Sequence, residues 1–185
     1  MNNDQRENAR LVHKDFFDRC QFAIDNKFYL EAIQLEYAAM EARMKVVMSL
    51  FELPCSLCTN SSITQRIGLR NKVMCFREII ENNPSLFENS KFTRAKASRL
   101  LEFCESRNYR IHELLTDTER YHDFVRKDGK LARQGIELSK LLYNETSRLK
   151  RMKKAHPERF AEIIASCGRG YISACGDAKE SLAVK

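Results

Sequence analysis

Proline and glycine are scarce, at 3 and 6 in 185 residues. Both residues interrupt regular structure, so a chain this poor in them has few obligatory breaks. No apolar run approaches the ~20 residues that a helix needs to cross a bilayer, and no membrane span is expected. The opening segment, Met1 to Arg10, is polar and mixed in charge, unlike a secretory leader. A glycine-rich phosphate loop is also missing, which argues against a nucleotide-hydrolysing fold. There is no internal repeat and no low-complexity segment.

What remains is rich in Leu, Ala, Glu, Lys, Arg and Met, all strong helix formers, and the composition points to an all-α fold. Hydrophobic residues make up 43 %, enough for a folded core. The length suits one domain better than two. A formal net charge of +7 favours polyanionic partners such as RNA, DNA or an acidic protein. Seven cysteines, an odd number set mostly within helical apolar patterns, read as reduced thiols packed as small hydrophobes in a cytoplasmic protein.

Apolar residues recur every three or four positions, the mark of amphipathic helices. The spacing predicts a first helix over Asp4 to Ile24 burying Leu11, Val12, Phe16, Phe17, Cys20 and Ala23, ended by Asp25-Asn26-Lys27. A second runs from Tyr29 to Leu53, before Pro54, with Ala32, Ile33, Leu35, Ala39, Met40, Val46, Val47, Leu50 and Phe51 as its apolar set. A third, capped by Ser62, reaches Asn82, and Asn82-Asn83-Pro84 breaks the chain. The fourth spans Ser90 to Thr116, and the fifth Glu119 to Lys154 with a bend near Gly129. A short sixth runs from Pro157 to Ser166. The expected architecture is an antiparallel bundle of five to six helices over residues 1–166, followed by a flexible tail over 167–185.

The fourth helix carries a polar interruption. From Leu100 and Cys104, helical steps lead to Arg107 and Ile111; from Leu101 and Cys104 they lead to Asn108, His112 and Leu115. Arg107, Asn108 and His112 are thus placed on or beside an otherwise apolar face, where polar groups are costly unless paired or bound to something. One reading is a satisfied structural network; the other is a site. Arg6 to His13 and Arg151 to His156 repeat the loose Arg-to-His spacing, but Arg6 lies at a fraying chain end, and Arg151 and His156 straddle a basic helix end before Pro157 with no apolar stripe around them.

The stretch Arg107-Asn108-Tyr109-Arg110-Ile111-His112 resembles the HEPN superfamily, whose motif is an Arg, four to six residues and a His, often with a polar residue after the Arg. Glu31-Ala32-Ile33 through Arg43 resembles the opening hairpin of those domains, and Gly129 through Leu138 the helix after the motif. The similarity covers Phe16 to Lys154 and, outside the motif, is one of pattern. In one branch a Tyr stands two residues after the motif His and is adenylylated; here Leu114 takes that place, so such regulation is not supported.

The resemblance implies an HEPN-like bundle and a metal-independent endoribonuclease with Arg107, Asn108 and His112 at its site. RNA brings its own nucleophile, the 2′-OH, so proton transfer and charge stabilisation suffice. Histidine changes protonation near neutral pH, and arginine offers paired donors to a phosphate. Asn108 would orient His112 or the phosphate. A single Arg and His make a thin site, and the family's remedy is an isologous homodimer with two motifs facing across the axis. Leu100, Leu101, Cys104, Ile111 and Leu115 supply apolar surface for it, and Arg66, Arg70, Lys72, Arg148, Lys150, Arg151, Lys153 and Lys154 are candidates to guide RNA.

No cofactor or metal is expected. Cys55 and Cys58 have ligand spacing, and Cys167 and Cys175 could complete four thiolates, but no second C-x-x-C exists. Glu36 and Glu41 could lie near the motif, as a general base or, more simply, as structural partners of arginine. The expected partners are RNA, a second copy of the chain and, as an open alternative, a regulatory protein. The rival reading is a non-catalytic HEPN-like adaptor or an RNA- or nucleotide-binding regulatory module.

Overall fold

The computed structural model describes residues 3–52, 68–116 and 121–170, with side chains over 11–52, 68–112 and 128–166. Among them all regular structure is helical, in seven helices: α1 (Asn3–Asp25), α2 (Tyr29–Leu50), α3 (Leu69–Asn82), α4 (Pro84–Phe87), α5 (Arg94–Thr116), α6 (Tyr121–Ala155) and α7 (Pro157–Gly170). No described helix is long and apolar enough to cross a membrane.

The helix ends follow from local chemistry. Lys27 takes a left-handed conformation (φ 64°), and the amides of Lys27 and Phe28 donate to the carbonyls of Ile24 and Ala23, closing α1 and turning the chain into α2. α2 stops at Leu50 rather than running to Leu53, because Glu52 is left-handed as well (φ 46°). The expected Ser62 cap lies outside the described residues; the described part of the third helix starts at Leu69 behind Gly68, which offers no side-chain cap.

Composition alone did not suggest the single turn of α4. Pro84 opens it at the first helical position, where a missing N–H costs nothing. The expected start of the fourth helix at Ser90 is also corrected. The Ser90 hydroxyl accepts from the Phe92 amide at 2.9 Å, forming a turn, and α5 begins only at Arg94. α6 continues as helix through Gly129 and Gly135, and α7 extends to Gly170, four residues into the segment expected to be a tail.

The chain divides into two compact units, residues 1–39 with 102–140 and residues 40–101 with 141–185. The first is cored by Cys20, Ala23, Ile24, Ala32, Ile33, Phe103, Cys104, Ala132, Ile136 and Leu138. The second is cored by Met40, Met44, Val47, Phe51, Val73, Phe76, Phe92, Leu100, Leu142, Leu149 and Phe160. Phe76 stacks on Phe92 and meets Phe87 edge-on, while Phe51 stacks on Phe160. Three residues expected inside lie outside: Leu11, Val12 and Leu35 are exposed. α1 turns its Cys20, Ala23 and Ile24 face inward, and Leu11 falls on the far side of that helix.

Candidate functional site

Arg107 lies on α5 one turn beyond Cys104 and is half-buried. Its Nη2 donates to Gln34 Oε1 at 2.7 Å, and its Nη1 donates to Asn108 Oδ1 at 3.0 Å. The guanidinium carbon stands 4.4 Å from the centre of the Tyr37 ring. Gln34 and Tyr37 are three residues apart on α2 and so share a face of that helix. The Nε–H is buried without an acceptor among the described residues. A guanidinium has five N–H donors. With one on each Nη engaged and Nε enclosed, one N–H on each Nη remains for an incoming anion.

Asn108 and His112 do not share that setting. Both are exposed, whereas the helical-step reading put them on or beside the buried face. The buried side of α5 is set by Leu100, Phe103, Cys104 and the inward Arg107. At 100° per residue His112 falls about 140° from Arg107 around the axis. One amide oxygen of Asn108 is used by Arg107 itself. The structure therefore joins Arg107 to Asn108 and leaves His112 outward, well round the same helix from Arg107. Leu100 and Cys104 are covered within the chain, so neither contributes apolar surface to a second copy.

The motif's other arginine has a different fate. Arg110 Nε lies 3.1 Å from Asp128 Oδ1 of α6, with both side chains largely buried. Several cations proposed to guide RNA are likewise engaged inside the second unit. Lys72 is 4 % exposed and bonded to Glu41 at 3.0 Å, which gives Glu41 a structural partner. Arg148 is held by Glu145 and the Leu86 carbonyl, and Lys153 by Glu52 and the Leu50 carbonyl. Lys150, Arg151 and Lys154 are exposed, and Arg66 lies outside the described residues. His156 sits on the surface, 3.5 Å from Glu158.

Glu36 is the residue whose setting departs furthest from expectation. It is fully buried, and among the described residues neither carboxylate oxygen has a hydrogen-bond partner. Burial pushes its carboxyl up to about 9 from an ordinary 4.5, so it is a neutral acid at pH 7. Gly135 of α6 makes the room: a Cβ there would collide with Glu36 Oε2 and lie 2.6 Å from Phe103 Cε2. The neighbouring Cys20 thiol is pushed up to about 12, by burial first and by Glu36 second, with Lys140 opposing. Among the described residues the expected arginine partner of Glu36 is not found.

Cys20, Cys75 and Cys104 are reduced thiols. Among the described residues no group of three His, Cys, Asp or Glu could hold a metal, and the side chains of Cys55, Cys58, Cys167 and Cys175 lie outside them. Sequence reasoning missed Gln34, Tyr37 and Asp128. The first two carried a readable signal, a polar and an aromatic residue at i and i+3 beside the apolar stripe of α2; Asp128 carried none. Comparison with family models, with curated proteins and with solved structures finds no match for the chain.

Proposed function

We propose that the protein is a metal-independent endoribonuclease of the HEPN type. The observation that carries the reading is Arg107, a guanidinium held in place by two side-chain oxygens and an aromatic ring, with donors left on both Nη atoms. Such a group matches a phosphodiester whose charge grows during reaction, and it needs no reorganisation at the moment of transfer. His112, exposed on the same helix, is accessible to an RNA strand.

In this mechanism the imidazole of His112 takes the proton of the 2′-OH. The 2′-oxygen attacks the adjacent phosphorus, and the P–O5′ bond breaks. The departing 5′-oxygen receives a proton from a second, protonated imidazole, which gives a 2′,3′-cyclic phosphate and a 5′-OH. One chain offers one motif histidine, so we place the second on another copy related by a two-fold axis. The net charge of +7 supports RNA as the polyanion. The test is end-group analysis of RNA incubated with the purified protein in EDTA: cyclic-phosphate and 5′-OH termini support the reading, and 5′-phosphate termini refute it.

A further inference from the structure

We propose that Gln34 and Tyr37 are positioning residues that fix Arg107 as an anion receptor while leaving its charge uncompensated; the inference rests on reading Arg107 as the phosphate-binding residue.

Two other inward arginines of this chain are held by carboxylates. Arg110 is paired with the carboxylate of Asp128, and Arg148 with that of Glu145. Each of those ion pairs cancels the guanidinium charge locally. Among the described residues, Arg107 is bound only by two amide oxygens, Gln34 Oε1 and Asn108 Oδ1, and by the face of Tyr37. An amide oxygen fixes direction as a carboxylate does but adds no negative charge, and an aromatic face attracts the cation without consuming an N–H. Packing α5 against α2 would be served as well by a glutamate at position 34. A neutral acceptor there is what an arginine needs if its charge is to meet an incoming phosphate.

The separating variant is Gln34→Glu, which is isosteric, keeps the hydrogen bond and neutralises the guanidinium. A purely structural clamp tolerates it; an anion receptor does not. We measure kcat and KM for RNA cleavage, and the displacement of the Arg107 guanidinium NMR signals by inorganic phosphate. Gln34→Glu should remain folded, lose on the order of tenfold in kcat with a smaller change in KM, and lose the phosphate-induced displacement. Tyr37→Leu should lower kcat similarly, and Tyr37→Phe, which retains the ring face, should restore it. Unchanged kcat and unchanged displacement in Gln34→Glu overturn the proposal while leaving the nuclease reading intact. Should the wild-type chain fail to cleave RNA, the nuclease reading falls, and the phosphate titration still decides: displacement lost in Gln34→Glu supports the receptor, and no displacement in the wild type overturns it.

Discussion

Replacing Glu36 with glutamine should stabilise the protein at neutral and alkaline pH, and the size of the gain follows from its burial. Its carboxyl titrates at about 9 in the folded chain against an ordinary 4.5. A raised acid favours the neutral form, so the folded state keeps a proton that the unfolded chain gives up. Below pH 4.5 both states are protonated and the group makes no difference. As pH rises from 4.5 to 9 the unfolded chain ionises first, and stability falls by about 1.4 kcal/mol per pH unit from this residue. At pH 7 the accumulated cost is about 3 kcal/mol, and above pH 9 it levels off. Urea unfolding of wild type and Glu36→Gln at pH 5, 6, 7 and 8 measures the difference directly, since every other titrating group cancels. The two stabilities should lie close at pH 5 and diverge steadily, with the variant ahead at pH 8. Parallel curves would refute the claim that Glu36 is buried without a partner.

Gly135→Ala should destabilise by about 2 kcal/mol, as overpacking against Glu36 and Phe103 outweighs the gain in helix propensity; thermal melts check this, and a Glu36→Ala background should recover part of the loss. Light scattering at tens of micromolar should give twice 21.6 kDa; a monomer counts against the two-fold site. Cleavage should survive EDTA, and dependence on an added divalent metal would show the proton-transfer assignment to be wrong.

The all-helical fold was legible because helix formers dominate and breaks are few, and the turn at Asp25-Asn26-Lys27 could be read from its residue types. Boundaries failed where a conformation depends on context, as with the left-handed Glu52 or the hydroxyl of Ser90 that forms a turn where a helix start was expected. Buried faces failed where apolar residues ring a helix: Leu11 and Leu35 have the right character but the wrong angular position, and Val12, two turns before Cys20, is exposed as well. Glu36 was hidden for the opposite reason. It continues the stripe from Ile33 to Met40, yet a carboxylate is not counted as core unless the space opposite, here Gly135, is known. At the site, periodicity placed Arg107 on the inward face; the same steps carried too far put His112 there as well. What holds Arg107 comes from a helix more than seventy positions earlier, a distance that local spacing does not span.

The central claim is that His112 transfers the proton, and one comparison tests it most directly: RNA cleavage by His112→Ala against His156→Ala, with folding checked by circular dichroism and RNA binding by filter retention. The surface His156 repeats the residue type and the Arg-to-His spacing outside the site, so its variant should cleave at the wild-type rate. His112→Ala should remain folded, bind RNA nearly as well because binding is spread over many cations, and lose about 10²–10⁴-fold in rate. Near wild-type cleavage by His112→Ala contradicts the account and leaves the adaptor reading in its place.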